Sequence, residues 1–581
     1  MKKVLSLVLF LVFSIILVGC SSTVSSTTTL STLAPTTVAP TTQAPTTQAP
    51  NTQAPTTRRT TTTDDNPIPM VDSKLVQFFN YSTEFVKEVE EEQFINMYFF
   101  PREKGYIPFV DISDLITLLI GIINEDVQVE VLENGVKVFI IWYPTEEEKA
   151  EYGITEDSVE EYVLFDFVNM TVTAPSVDTF RSFSGETTTD FSQGLTLVSS
   201  TSEDLPTFHV DLSEYGFFFR VVYTDEGDKY TIPLSLANLF LTGSMFDVIL
   251  NGNGLYGVDT YQIGDVNDET SELYNVVKKQ TLGTEFRQES VNFMAFAMDY
   301  FYGLKSYKGI SSFKTYVPNY MKTTWTMELG LTRLIDSLTD MHTGVISFGQ
   351  NNPDYKQTSY PGYIYDWYYE YNGANCYNFQ GYSLSFHGST AYFRIKSFTK
   401  EFALEIAPYM EQIREANVEN VVIDLACNGG GVIAGVYHLL NYLTNDNISI
   451  YTTTLGANSS WTYDVEGDLA INANFYILTS KATYSAANLF TSYAVELGLA
   501  QTIGTKTGGG ACSVKVLVLP NGAIIQMSSN MNLTFSTFET VEEGIPANHI
   551  IDWSQSSRQG INPSITDILA GIQALKAQTP A

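Results

Sequence analysis

From about residue 275 onward, apolar residues recur at helical spacing. Val291, Met294, Ala295, Met298, Phe301 and Tyr302 mark one amphipathic helix, and Met327, Leu331, Leu334, Ile335 and Leu338 a second. The pattern then changes to short apolar runs. Thr390–Lys396 reads as a strand, Ala403–Ala416 as a helix and Val421–Leu425 as a buried strand. Another apolar strand, Phe475–Thr479, runs into Ala482-Thr-Tyr-Ser485-Ala-Ala-Asn-Leu-Phe490, and a helical pattern (Ala487, Phe490, Ala494, Leu497) runs out. A strand over Ser513–Leu519 and a helix carrying Ile565, Ile568, Leu569, Ile572 and Leu575 complete this half.

Residues 70–270 are rich in Tyr and Phe and read as α+β. Val127–Leu132 alternates, Val136–Ile141 follows, and Glu133-Asn134-Gly135 between them predicts a hairpin. A helix is expected over Ser82–Gln93 and a strand over Phe217–Tyr223. There is a faint echo. Ile107-Pro108 leads into the apolar run from Leu115, and Ile232-Pro233 into the run from Leu236, each followed by a strand-like segment. Two copies of one small unit and chance are both open readings.

The first 66 residues carry no core pattern. Lys2 and Lys3 precede an apolar run, Val4 to Val18, that ends Gly19-Cys20. This resembles a bacterial lipoprotein signal peptide, which implies lipidation at Cys20 and anchoring at the cell surface. Residues 21–66 are mostly Ser, Thr, Pro, Ala and Gln, with a five-residue repeat beginning Ala39-Pro40-Thr41-Thr42-Gln43. Such a stretch cannot bury a core. Its prolines favour an extended stalk on the order of 100 Å long, at roughly 3 Å per residue. The expected organisation is a signal peptide (1–20), a linker (21–66), an α+β accessory domain (67–272) and a catalytic domain (273–581). The last would hold a helical subdomain at about 280–345 and a core at about 346–581.

Charge narrows the function. The 581 residues carry 65 Asp plus Glu against 31 Lys plus Arg, a formal net charge of −34. A chain this acidic repels nucleic acid. Besides Cys20, Cys376, Cys427 and Cys512 form no metal-binding spacing; one disulfide with a free thiol, or three free thiols, are both compatible.

The candidate chemistry lies in the second half. Ser485 sits where a strand turns into a helix, in reach of helix N-terminal N–H groups. It is either an N-cap or a nucleophile with oxyanion donors beside it. His342, one of five histidines, stands in Asp340-Met-His-Thr-Gly344. Gly429-Gly430-Gly431 ends the Val421 strand, where backbone N–H groups can approach a ligand closely. No Lys-Ser/Thr pair follows these glycines, so a phosphate loop is not indicated.

These segments, in this order, resemble the C-terminal processing (tail-specific) serine peptidases, in the branch that includes the tricorn core. The matching motifs are Asp340-x-His342-Thr343, Asp424-Leu-x-x-Asn428-Gly-Gly-Gly431 and Thr483-Tyr-Ser485-Ala-Ala-x-x-Phe490. Two more are Ile503-Gly-x-x-Thr507-Gly-Gly-Gly510 and Gly544-Ile-Pro-x-x-His549. The resemblance spans residues 285–577. It implies an α/β fold with a Clp protease/crotonase-like ββα core behind a helical subdomain. It also implies Ser485 as nucleophile, His342 as base, Glu542 or Glu543 orienting it, and N–H groups of Ala486 with Gly429 or Gly430 as oxyanion hole. No metal or organic cofactor is implied, and the partner is a peptide or protein substrate. Three departures stand out. Gly510 occupies the place of the family's catalytic lysine, leaving Lys506 as the nearest alternative base. Only about 45 residues separate Gly344 from Thr390, too few for a PDZ domain. Ala426-Cys427 stands where the family often has an arginine. The rival functions are a non-catalytic surface lipoprotein binding peptide or glycan, and a crotonase-like acyl-CoA enzyme.

Overall fold

The structure, a computed structural model, describes residues 71–85, 92–146, 148–149, 155–277, 281–322, 326–350, 376, 379–464, 467–551 and 564–578. The signal-peptide and linker readings lie outside them, as does most of the stretch between Gly344 and Thr390. Among the described residues no helix is long and apolar enough to cross a membrane. The fold is mixed α/β, with strands in four sheets.

The sheet that matters most for the site runs Tyr382–His387, Thr390–Ile395, Asn420–Asp424, Asn474–Thr479, Ala500–Gly504 and His549–Ile550. Its first pair is antiparallel and the rest are parallel. Parallel strands need crossovers, and helices Phe402–Glu415 and Ala486–Glu496 lie in two of them. A sheet of this kind is covered on both faces. Val421, Ile423, Phe475 and Ile477 point into one apolar cluster with both crossover helices. Val422, Tyr476, Leu478 and Ile503 alternate to the other face, against Ile568, Ile572 and Leu575 of the last helix. The continuous apolar runs seen in the sequence are these two-sided strands.

A second, antiparallel sheet contains Gly344–Ser347, Ile524–Thr534, Ile448–Thr454, Ala457–Asp464 and Thr196–Ser202, with Cys512–Val518 also paired to Ile524–Thr534. Thr196–Ser202 comes from far earlier in the chain and pairs with Ala457–Asp464. Packing also crosses residue 272. One cluster unites Phe165 and Phe240 with Met294, Met298 and Leu331 of helices Thr284–Phe301 and Met327–Leu338, and with Ile525 and Met527.

The N-terminal region holds a seven-stranded and a five-stranded sheet. The expected hairpin forms, with Leu132 opposite Gly135. Both Ile-Pro echoes fold as a strand, an eight-residue helix and a hairpin. Phe109–Asp111, Ile112–Leu119 and the 128–142 hairpin form one set; Gly227–Pro233, Leu234–Leu241 and the 246–259 hairpin form the other. The leading strands pair with each other, while the hairpins enter different sheets. The strand expected from Phe217 begins at Arg220.

The helix expected from Ser82 is not formed over its described residues 82–85. The Asp259 carboxylate accepts the Ser82 hydroxyl and the N–H groups of Thr83 and Glu84, and the Ser82 hydroxyl accepts the Phe85 N–H. A long-range carboxylate thus takes the donors that local propensity would assign to a helix start.

Candidate active site

The turn that carries Ser485 is built by side chains that stitch it to the neighbouring strand end. Thr483 Oγ1 donates to Leu425 O at 2.8 Å and Ser480 Oγ to Ala426 O at 2.6 Å. Tyr484 N–H donates to Asn428 O at 3.1 Å. From the other side, Gly508 N–H donates to Thr483 O and Ser485 N–H to Gly509 O. A Cβ at Gly510 would sit 2.5 Å from the Tyr484 ring, so this glycine lets the third loop close onto the turn.

So held, Ser485 takes φ 54° and ψ −125° at the start of helix Ala486–Glu496. Positive φ is costly for a residue with a Cβ and persists only where surroundings enforce it, most often at functional sites. The serine does not act as a cap. Its Oγ makes no bond to the helix and, buried at 1 % exposure, has no hydrogen-bond partner among the described residues. Its own N–H is tied to Gly509. Among the described residues the next N–H in the helix, that of Ala486, has no acceptor.

The facing strand end is equally ordered. Asp424 is buried against Arg394, whose Nε lies 3.0 Å away, and its Oδ1 accepts the Ala426 N–H. Arg394 also donates to Cys427 Sγ, so a guanidinium reaches the place where Ala426-Cys427 lacks one in sequence. Cys376 and Cys427 form a disulfide and Cys512 is a buried free thiol. Gly430 and Gly431 have φ 110° and 139°. The two candidate oxyanion glycines differ. Gly430 N–H donates to Asn428 Oδ1 at 2.8 Å, whereas Gly429 is exposed, has open space where a Cβ would stand, and its N–H has no acceptor among the described residues.

His342 arrives from the antiparallel sheet. Asp340 Oδ1 accepts its N–H and Gln526 Nε2 donates to its carbonyl, fixing the backbone on both sides. Asp340 Oδ2 also accepts the hydroxyls of Thr343 and Tyr302. The imidazole lies 4.7 Å from the ring of Tyr484, the neighbour of Ser485. It is 1 % exposed, and neither ring nitrogen has a partner among the described residues. Burial pulls its pKa down to about 4 against the opposing pull of Asp340. The ring is therefore neutral at pH 7, the state a proton acceptor needs.

The two glutamates part company. Glu542 enters the same pocket: its carboxylate accepts the Ala511 N–H at 2.7 Å and lies near Asp340. Burial, aided by Asp340, raises its pKa to about 7. Glu543 points outward to Lys506, 3.8 Å away, both well exposed. Neither glutamate is bonded to the His342 ring.

Two residues of this site carry no sequence argument. Asn488, one turn after Ser485, is fully buried; its amide donates to Val541 O and accepts from Thr507 Oγ1, which also accepts the Ile545 N–H. It ties the helix that follows Ser485 to the segment bearing Glu542. Gln526 is the other. A polar residue inside the apolar run Ile524-Ile525-Gln526-Met527 was the available signal.

Residues 389–550 match the family model of peptidase family S41. The match covers between a quarter and a third of the chain. A carboxyl-terminal-processing protease from Picosynechococcus sp. is 27 % identical over 150 residues, which are 26 % of this chain and 34 % of that protein. The chain thus matches about a third of that relative's length. Among solved structures, a photosystem II D1 C-terminal processing protease is similar at 12 % identity, TM-score 0.27, over 30 % of this chain and 49 % of that one. A lipoprotein from Streptococcus agalactiae is similar at 13 % identity, TM-score 0.33, over 48 % and 97 %. The S41 match includes Ser485, both glycines and both glutamates, and excludes His342.

Proposed function

We propose that this protein is a lipid-anchored, surface-exposed serine peptidase that hydrolyses peptide bonds through an acyl-enzyme on Ser485. The observation that carries this is Ser485 itself: a buried hydroxyl at positive φ on a helix start, capping nothing, near the N–H groups of Ala486 and Gly429, which have no acceptor among the described residues.

In this reading Ser485 Oγ attacks the scissile carbonyl carbon. The C–O bond forms, the carbonyl π pair moves to oxygen, and the serine proton passes to neutral His342. The N–H groups of Gly429 and Ala486 stabilise the oxyanion. Collapse of the tetrahedral intermediate breaks the C–N bond, and His342 returns its proton to the leaving amine. Water, activated the same way, then releases the acyl group. Glu542 orients the imidazole once its carboxyl is ionised, and Glu543 takes no part. The ring and hydroxyl close to hydrogen-bond distance when substrate is present, as catalytic contacts commonly do. A Clp protease/crotonase-like core, and an accessory N-terminal unit that presents substrate, belong to the same proposal. So do Cys20 lipidation and the extended 21–66 stalk.

The test is an alkyl fluorophosphonate probe on the full chain, with peptide mapping of the adduct. A single adduct on Ser485, absent in Ser485→Ala, is expected. A wild-type protein that stays unlabelled and leaves casein intact would instead support the binding-protein reading.

A further inference from the structure

Asn428 is wholly buried beside the exposed Gly429. Its main-chain oxygen accepts the Tyr484 N–H at 3.1 Å, which docks it on the nucleophile turn. Its side-chain Oδ1 accepts the Gly430 N–H at 2.8 Å. That second bond decides which end of the amide faces the glycine loop, because a backbone N–H needs an acceptor. The other end, Nδ2, carries two N–H donors and has no hydrogen-bond partner among the described residues.

A buried donor without an acceptor costs about 1–3 kcal/mol. Such groups are uncommon in native proteins, and a catalytic role is one of the reasons a fold keeps them. Here the orphan does not stand alone. Among the described residues, Ser485 Oγ and both ring nitrogens of His342 are buried and unpartnered as well, and the Gly429 and Ala486 N–H groups lack acceptors. Asn428 touches this group through Tyr484 and Gly430, and the groups have complementary needs. The donors are matched by an anion, and the hydroxyl and imidazole by each other. The bond to Oδ1 also polarises the amide and strengthens Nδ2–H as a donor. Asn428 thus withdraws the Gly430 N–H from the candidate oxyanion hole and offers a stronger donor of its own.

We propose that Asn428 is a catalytic residue that donates an Nδ2–H hydrogen bond to the oxyanion of the tetrahedral intermediate. The proposal rests on the Ser485 peptidase reading. In the step it serves, the Ser485 Oγ–C bond forms, the carbonyl π pair becomes the oxyanion lone pair, and the hydroxyl proton goes to His342. The oxyanion then accepts from Asn428 Nδ2, Gly429 N and Ala486 N. The amide gains an acceptor only in that state, so the interaction lowers the barrier rather than tightening substrate binding.

Asn428→Asp keeps the acceptor for Gly430 and removes the donor; Asn428→Ala removes both without adding charge. Removing one oxyanion donor lowers kcat on the order of 100-fold. We expect kcat on fluorogenic casein, and the second-order rate of fluorophosphonate labelling, to fall by about that factor in both variants, with KM within about threefold of wild type. Circular dichroism checks that each variant is folded. Rates within about threefold of wild type in a folded variant, or a raised KM with unchanged kcat, would overturn the proposal. A crystal structure of the wild-type phosphonyl adduct decides it without any variant. Nδ2 about 3 Å from the phosphonyl oxygen supports it, and a separation beyond about 4 Å overturns it. Ser485→Ala separates the two claims. If that variant labels as fast as wild type, the peptidase reading falls and this proposal with it. If it is unlabelled while the Asn428 variants label normally, only the role of Asn428 falls.

Discussion

The two sides of the site are made by different kinds of structure. Ser485, Ala486 and Gly429 stand at the ends of adjacent parallel strands, Asn474–Thr479 and Asn420–Asp424, where strand, turn and helix follow one another in sequence. His342 leads into Gly344–Ser347, which pairs with Ile524–Thr534 in the antiparallel sheet, and Asp340 and Gln526 hold its backbone. The serine side is set by local order and the histidine side by pairings nearly two hundred residues apart. The first stores strain, visible as positive φ at Ser485; the second stores desolvation, visible in the lowered pKa of His342 and the raised pKa of Glu542. Neither side alone provides both the hydroxyl and the imidazole that the proposed mechanism needs.

The largest effect expected from breaking this pairing is at the nucleophile. Ser485→Ala should abolish casein hydrolysis down to the assay background while leaving the thermal transition within a few degrees of wild type. Next is the tie between the sides. Asn488→Leu removes a buried amide that serves Val541 O and Thr507 Oγ1. Leaving those groups unpaired should destabilise the fold on the order of 3 kcal/mol, read by urea denaturation, with labelling slowed at least tenfold.

The pH dependence sharpens the comparison. Glu542, raised to about 7, loses its proton as pH rises through that value, whereas His342, lowered to about 4, is neutral throughout that range. The labelling rate should therefore climb between about pH 6 and 8, and Glu542→Gln should flatten that limb and reduce the plateau several-fold. The smallest effect is outside the pocket. Glu543→Gln and Lys506→Ala remove an exposed pair, worth at most about 1 kcal/mol, and should leave the labelling rate within about twofold.

How much of this was legible follows the same division. The strand before Ser485, the helix after it and the glycine loop could be read from apolar periodicity, because each depends on residues a few positions away. That the serine is no cap could not, since φ 54° is imposed by Asn428, Gly508 and Gly509 from two other segments. The choice between Glu542 and Glu543 was open because adjacent residues on one strand of chain have the same sequence context; burial separates them. Gln526 stood out only as a polar residue in an apolar run; its tie to His342 could not be read, because only the pairing of Gly344 with Gln526 brings the two together. Over the described residues 82–85 the expected helix is absent for the same reason, with Asp259 supplying from 177 residues away what the local sequence cannot predict. The Ile-Pro echo was legible only as two Ile-Pro steps into an apolar run and a strand-like segment, with chance equally open; the leading strands, the second hairpin and the divergence of the two hairpins into different sheets were not.

The claim that most needs testing is that the buried imidazole of the antiparallel side serves the serine of the parallel side. The measurement is the second-order rate of fluorophosphonate labelling in wild type and His342→Ala, both confirmed as folded by circular dichroism. The account predicts a loss of about a thousandfold or more in the variant. A rate within threefold of wild type would contradict it, and would send the search for the base to Lys506.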